Sequence, residues 1–367
     1  MEYKKLGDIA TYINGYPFKP EDRGECGLPI IRIQDLTGNT YDLGYYDGKY
    51  PERIEINNGD ILISWSASLG VYVWNRGKAL LNQHIFKVVF DKVEINKRYF
   101  VYAVQFKLKE MEAKTHGATM KHIVKKDFDS TLIPYPSLKE QSRIAEIIDS
   151  IAKSINMRQK QLQKLDDLVK VRFVELFGDP VVNPKGFPCY TVGEVIDFQG
   201  GSQPDKKYFE YEPSPDNIRL IQIRDYKSDK YITYIPKTMA KRFCTADDIM
   251  IGRYGPPIFQ ILRGIEGSFN VALMKATPKM GNREFVRQFL KQDCLLEYLE
   301  GLSKRTAGQD GIQMDKLKAY PFPYPPIELQ KQFAAFITQT DKSKVAIQKA
   351  LDEAQLLFDS LMQKYFG

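Results

Sequence analysis

The chain has 367 residues, 43% of them apolar and 27% charged, with a formal net charge of +7. That length can build two or three domains, each with its own core, and no apolar run approaches the ~18 residues of a membrane span. The N-terminus MEYKKLGD lacks a signal-peptide core, and Cys26, Cys189, Cys244 and Cys294 form no CxxC pair, so reduced thiols in a cytoplasmic protein are expected, without a zinc site or disulfide framework.

Residues 1–136 read as β-rich. Short runs such as Pro29–Ile33, Asp60–Ser64, Val71–Trp74 and Ile85–Phe90 alternate with turn chemistry at Asn14-Gly15, Thr37-Gly38-Asn39 and Asn57-Asn58-Gly59. Lys97–Met111 has helical spacing, which predicts a helix packed on the sheet. His84, His116 and His122 have no catalytic motif around them, and the last two flank an expected loop.

Residues 137–178 predict one long helix, bounded by Pro134 and Pro136 before it and Gly178-Asp179-Pro180 after it. A coiled-coil seam steps through Ile144, Ile148, Ile151, Ile155, Arg158, Leu162, Leu165, Val169, Arg172 and Leu176, apolar except at the two arginines. At 1.5 Å per residue such a helix spans roughly 60 Å.

After a short linker at 179–189, residues 190–325 repeat the β-rich plan and residues 326–367 repeat the helix. Gln141 falls on Gln330, Leu162 on Leu351 and Phe177-Gly178 on Phe366-Gly367, and the lead-in Ile133-Pro134-Tyr135-Pro136 falls on Phe322-Pro323-Tyr324-Pro325. The second seam runs Phe333, Ile337, Thr340, Lys344, Ile347, Leu351, Ala354, Phe358, Leu361 and Tyr365, interrupted by Thr340 and Lys344. The chain is a tandem duplication. Its framework strands agree between copies, with Asn82 and Lys87 returning as Asn270 and Lys275, while stretches such as Ser64–Ser68 and Gly252–Pro256 differ. If the seams pair antiparallel, the fold is α+β: two β-rich modules separated by a pair of long antiparallel coiled-coil helices, pseudo-twofold symmetric.

Residues 1–178 carry 27 Lys and Arg against 23 Asp and Glu, and residues 179–367 carry 26 against 23, so both halves are mildly basic and would hold a polyanion. No GxSxG elbow, Walker A loop or GxGxxG fingerprint is present. Asp216, Asp225 and Lys227 imitate the acids and lysine of metal-dependent nucleases, but Asp225 repeats Asp35, which no lysine follows two residues on. Tyr324-Pro325-Pro326-Ile327 imitates an adenine-methyltransferase motif without its leading Asn or Asp. The chain reads as a binder without catalytic or metal-ligating residues.

Two β-rich modules, each followed by a Pro-x-Pro lead-in, a Glu140-Gln141 or Leu329-Gln330 pair, Ile144-Ala145 or Phe333-Ala334 behind it and a long helix, resemble the specificity (S) subunit of type I restriction–modification enzymes, the HsdS family. Gly59–Ser66 is similar to that family's central strand and loop, whereas copy two departs from it at Gly252-Arg253-Tyr254. The resemblance implies two target recognition domains, at 1–136 and 190–325, each reading one half of a bipartite DNA sequence. It implies that helices 137–178 and 326–367 act as a spacer and dock two modification (methyltransferase) subunits. S-adenosylmethionine would be bound by those partners, and ATP and Mg by restriction subunits where these join; this chain would hold no cofactor.

Phosphate contacts position and base-edge contacts specify, so polar and aromatic loop residues near basic ones are the candidates for contact with double-stranded DNA. In module one these are Tyr16, Lys19, Arg32, Gln34, Trp65, Ser66, Ser68, Lys121 and Lys125. In module two they are Gln203, Lys206, Lys207, Gln222, Arg224, Arg253, Tyr254, Lys304, Arg305 and Gln309. Arg32, Gln34, Gln222 and Arg224 read equally as solvent-facing strand positions, and Trp65 as a partly buried ring. A double-headed scaffold for proteins or glycans is the alternative function.

Overall fold

The computed structural model describes residues 2–39, 42–114, 123–254, 258–303 and 312–367. They form two compact units, Met1–Lys160 with Gln348–Gly367, and Gln161–Ile347.

The first unit contains β1 (Tyr3–Lys5), α1 (Leu6–Ile9), β2 (Thr11–Asn14), β3 (Leu28–Ile31), α2 (Ile33–Leu36), β4 (Tyr45–Tyr46), β5 (Glu55–Ile56), β6 (Ile61–Ser64), β7 (Gly70–Val73), β8 (Ala79–Leu81), β9 (Ile85–Val89), α3 (Lys97–Lys114), α4 (Lys125–Ser130), β10 (Leu132–Pro134) and the first part of α5 (Leu138–Phe177). One antiparallel sheet has the order β2-β9-β6-β7, and a second, β4-β3-β8-β5, has a parallel pair at its centre. The central β6 explains the layering. Its run Ile61-Leu62-Ile63 is buried on both faces, with Ile61 and Ile63 turned to the core that contains α3 and Leu62 to the core shared with the second sheet.

The second unit follows the same plan: β11 (Cys189–Thr191), α6 (Val192–Val195), β12 (Ile196–Gly200), β13 (Asn217–Ile221), β14 (Tyr234–Pro236), β15 (Phe243–Cys244), β16 (Ile249–Gly252), β17 (Gln260–Arg263), β18 (Gly267–Phe269), β19 (Leu273–Pro278), α7 (Arg283–Leu290), α8 (Asp293–Ser303), α9 (Met314–Ala319), β20 (Pro321–Pro323) and part of α10 (Ile327–Phe366). Its sheets are β12-β19-β16-β17 and β14-β13-β18-β15, the same orders strand for strand. Ile249 and Ile251 face one core and Met250 the other, as in β6. The long α3 of the first unit is replaced here by the two shorter helices α7 and α8.

The lead-in motifs are strands. Pro134 pairs with Tyr3 and Pro323 with Cys189, so each lead-in closes its module onto the module's first strand. Four residues into each helix sits a fully buried glutamine that ties three segments together. Gln141 Oε1 accepts from the Asn96 N–H at 2.9 Å and its Nε2 donates to the Pro136 carbonyl at 2.9 Å. Gln330 does the same with the Asn282 N–H at 2.8 Å and the Pro325 carbonyl at 2.7 Å. Asn96 and Asn282 in turn cap α3 and α7, accepting from the N–H groups two and three residues on. The amide satisfies a donor and an acceptor that have no water to turn to.

The predicted helices 137–178 and 326–367 are α5 and α10, each 40 residues long, and each is divided between the two units instead of forming a unit of its own. The reason lies at their C-terminal ends. In the first unit Met362 and Phe366 of α10 enter the core formed with Ile144, Ala145 and Ile148 of α5, and the Phe366 ring lies 5.2 Å from Tyr99. In the second unit Phe173 and Phe177 of α5 enter the core with Phe333 and Ile337 of α10, and Phe177 lies 4.7 Å from Phe285. Within each unit the two helix segments run antiparallel: in the first Arg143 meets Tyr365 while Tyr102 bridges Asp149 and Phe358, and in the second Arg172 lies over Phe336 while Asp166 meets Lys344. Every seam position named above is buried or half-buried, the interrupting residues included. Gly178, in the left-handed region at φ 77, ends α5 with its N–H on the Val174 carbonyl, which is the role expected of a C-terminal glycine.

Replacing a fully buried phenylalanine with alanine costs about 3–5 kcal/mol. Phe366→Ala and Phe177→Ala are therefore each expected to lower unfolding free energy by that amount in denaturant titrations. Hydrogen exchange should accelerate first in residues 1–160 for the former and in 161–347 for the latter.

Candidate nucleic-acid interface

In each unit the ends of four strands form one rim. In the first unit β2 leads into Asn14-Gly15-Tyr16, β3 into Arg32, β6 into Trp65 and β8 into the turn Asn82-Gln83-His84. Backbone bonds lock these together: Tyr16 N–H to the Leu81 carbonyl, Gln83 N–H to the Tyr16 carbonyl, Asn82 N–H to the Ile31 carbonyl and Trp65 N–H to the His84 carbonyl. The chains approach so closely that a Cβ on Gly15 would lie 2.0 Å from the Asn82 carbonyl oxygen, so only glycine fits. The second unit repeats the lock with Ser202 N–H on the Phe269 carbonyl, Asn270 N–H on Ile221 and Arg253 N–H on Ala272. A Cβ on Gly201 would lie 1.9 Å from the Asn270 carbonyl oxygen. Asn82 and Asn270 also use their own Oδ1 to hold the turn, on Gln83 N–H and Ala272 N–H respectively.

What the frame presents differs between copies. The first rim shows Tyr16, 41% exposed and edge-on to Phe18, with the half-buried Trp65 stacked on Phe86 at 5.5 Å and against His84 at 5.0 Å. Trp65 Nε1 donates to Asn14 Oδ1 at 3.3 Å. Ala67 and His84 both have φ in the left-handed region, at 58 and 70, a costly conformation for residues with a side chain and one concentrated at functional sites. The second rim puts Arg253 where the first has Trp65. Its guanidinium lies 5.4 Å over the exposed Tyr254 ring and donates to the Val271 carbonyl. Val271, itself 44% exposed, stands where the first rim has Gln83.

The remaining sequence candidates separate. Ser68, Lys19 and Lys125 are exposed; Lys125 is paired with Asp129 at 2.6 Å. Ser66 is buried and presents no group at the surface. Gln203, Lys206 and Lys207 are exposed on the segment after Gly201, with Lys206 and Lys207 in a 3₁₀ turn that Asp205 caps. Arg32, Gln34, Gln222 and Arg224 are not strand positions. They belong to one-turn helical bends that follow β3 and β13, and each bend is closed by a buried aspartate. The Arg32 N–H reaches Asp35 Oδ2 at 2.8 Å and the Gln222 N–H reaches Asp225 Oδ2 at 3.2 Å. Arg32 is further committed to Asp35 at 3.2 Å, while Gln222 and Arg224 both donate to Thr233 Oγ1 at 3.0 Å. Asp225 is thus a structural cap that burial pushes above the ordinary carboxylate range, partly offset by the Gln222 N–H and Arg219, and Asp216 is exposed apart from it. Among the described residues no acidic, histidine or cysteine cluster suits a metal. His116, Lys121, His122, Lys304, Arg305 and Gln309 lie outside the described residues. Sequence reasoning overlooked Asn14, Gln83, His84 and Val271. The repeat of Asn82 as Asn270 was the available signal for that turn.

A constant frame with changed tips belongs to a module that reads variable partners, and the comparisons agree. The family model for the type I restriction modification DNA specificity domain matches residues 1–167 and again 184–355. The chain belongs to that family. The type I restriction enzyme EcoBI specificity subunit of Escherichia coli is 31% identical over 168 residues, 45% of this chain and 35% of that one. The MjaVIII specificity subunit of Methanocaldococcus jannaschii is 25% identical over 389 residues, 95% of this chain and 89% of that one. Among solved structures, a type I restriction-modification S subunit from M. genitalium shares the fold at a TM-score of 0.58 and 16% identity, covering 100% of this chain and 96% of that one. A chain from a structural study of complex assembly and conformational transition in the type I R-M system matches at 0.53 and 17% identity, covering 100% and 97%. The family assignment displaces the protein- or glycan-binding scaffold. No helix among the described residues is long and apolar enough to cross a membrane.

Gly15→Ala and Gly201→Ala each force a rim apart. Each is expected to cost at least about 2 kcal/mol, read as a lowered denaturant midpoint. Amide exchange should rise at Asn82–Gln83 for the first and at Asn270–Val271 for the second.

Proposed function

We propose that this chain is the DNA-recognition subunit of a type I restriction–modification complex, that each module reads one half of a bipartite duplex target, and that α5 and α10 set the interval and dock two modification subunits. The observation that carries this reading is the pair of rims: three of the four backbone bonds of the first rim recur in the second, with Trp65, Gln83 and His84 on one and Arg253, Val271 and Ala272 on the other. Glutamine hydrogen-bonds adenine edges, arginine guanine edges, and an exposed valine suits a thymine methyl, so the two rims favour different half-sites. Forty helical residues extend about 60 Å, between one and two turns of B-DNA at ~34–36 Å per turn.

Docking of modification subunits is supported by an unpartnered apolar stripe on α5 in the second unit, where Leu168, Val171 and Val174 are spaced three residues apart and each about half exposed. Methyl transfer from S-adenosylmethionine then belongs to those partners, and ATP- and Mg-dependent cleavage to restriction subunits where these join. The chain itself binds DNA in the cytoplasm and turns nothing over.

Three outcomes test this. Exchanging residues 1–136 for the corresponding module of a relative is expected to change one half-site in methylome maps; a change in both halves would sink the division of labour. Removing one heptad from the middle of both α5 and α10 shortens the spacer helices by about 10 Å, so the recognised gap should shrink by about three base pairs at 3.4 Å each. An unchanged gap would refute the ruler. Duplex binding should weaken steeply between 50 and 200 mM salt, as counterion release requires, and a flat salt response would exclude phosphate contacts.

A further inference from the structure

Lys344 borders a cavity of about 410 Å³ within the second unit, enclosed by α5, β17, α7 and α10 and lined by five cationic side chains against the acids Asp166 and Asp341. Four of the cations, Arg263, Arg287, Lys291 and Lys344, come from three different elements and the residue that follows α7. The first copy has none of them. Through the matched caps Asn96 and Asn282, Arg287 stands where the first unit has Val101 and Lys291 where it has Gln105. By the strand and helix registers, Arg263 stands where the first unit has Val73 and Lys344 where it has Ile155. A cationic pocket therefore belongs to one repeat alone.

Arg287 is 4% exposed, on the apolar face of α7 between Phe285 and Phe289. Its guanidinium is paired with Glu284, and Asp341 is 4.0 Å away, yet its Nε is buried with no hydrogen-bond partner among the described residues. Lys291 has no ion-pair or hydrogen-bond partner for its amine among them. The protein crowded around it, and then Arg287, Lys344 and Arg263, push that amine below the ordinary lysine range, partly offset by Asp166, although the residue as a whole is exposed. Arg263 is paired with Glu284 and Asp341, Lys344 with Asp166 and Lys170 with Asp293, so the Lys291 amine and the Arg287 Nε are the cationic groups in the lining left open to an anion. The rest of the wall is apolar, with Phe173, Leu290, Ile337 and Phe259; Phe259 is buried with φ at 59, a strained conformation for an aromatic residue.

We propose that this cavity binds a small anionic ligand that joins an oxyanion to a flat apolar body, of the size of a nucleoside monophosphate. Its oxyanion meets Arg287 and Lys291, and its flat part lies among Phe259, Phe173 and Ile337. Pockets of a few hundred Å³, largely apolar with a few charged groups to fix orientation, are the usual sites for such molecules.

The test uses the full chain, with adenosine monophosphate, adenosine and inorganic phosphate as probes in calorimetry and thermal melts without DNA. Adenosine monophosphate should bind and raise the melting temperature, and the other two should do so at least tenfold more weakly. Lys291→Gln, at the exposed mouth, should weaken adenosine monophosphate binding about tenfold while the unliganded variant melts at or above the wild-type temperature, since a repelled cation is gone. Absence of binding by all three probes at millimolar concentration would overturn the proposal, as would Lys291→Gln binding like the wild type. Inorganic phosphate binding as tightly as the nucleotide would remove the apolar body from it. Displacement of the nucleotide by an unrelated duplex would assign the cations to DNA backbone instead.

Discussion

Neither module closes its own core. The space beside Tyr99 in the first unit is filled by Phe366, and the space beside Phe285 in the second by Phe177, so each repeat's helix ends inside the other repeat's hydrophobic cluster. A 40-residue amphipathic helix with one narrow apolar stripe gains little stability alone; tertiary burial of the stripe supplies it. Burying two large side chains at each far end makes the two helices joint members of both units. The equal lengths of α5 and α10 follow from the duplication.

The long periodic elements were legible because a seven-residue apolar repeat over 40 residues has few alternative readings, and the duplication was legible because the two helices keep one register from Gln141 and Gln330 to Phe177 and Phe366. The terminal phenylalanines were not. A 3.5-residue seam template selects Leu176 and Tyr365, whereas a 3.6-residue helix drifts, and by its last turns the adjacent positions Phe177 and Phe366 face the module core. The rims were legible only in part. Trp65 and Arg253 stood out as changes within a repeated strand. Gln83, His84 and Val271 owe their position to the pairing of β3 with β8 and β13 with β18, parallel contacts between segments roughly 50 residues apart, which local pattern does not reveal. The bends at Arg32 and Gln222 were misread as strand because Asp35 and Asp225, which end those strands by capping the next turn, act through backbone geometry that composition does not encode.

The seam interruptions also separate into unlike cases once geometry is added. Thr340 is buried, and its hydroxyl is satisfied by the Phe336 carbonyl one turn back at 2.9 Å, so it costs the seam little. Arg172 lays its guanidinium 5.9 Å over Phe336 and pairs with Glu175, keeping its stem in the seam and its charge at the edge. Lys344 reaches Asp166 on the facing helix and contributes to the positive lining of a cavity.

Polar groups kept in both copies, the pairs Gln141 and Gln330, Asn82 and Asn270, and Asp35 and Asp225, each satisfy backbone atoms whose positions define the fold. Substituting one leaves a buried donor or acceptor unpaired at about 1–3 kcal/mol, which a protein of ordinary stability tolerates poorly. The rim residues that differ between the copies sit at strand ends, where Trp65 and Arg253 are held by their own backbone N–H groups whichever side chain is present. A recognition module can therefore exchange Trp65 for Arg253, or Gln83 for Val271, without refolding, and that separation between backbone lock and exposed tip is what allows one duplicated scaffold to carry two unlike reading surfaces.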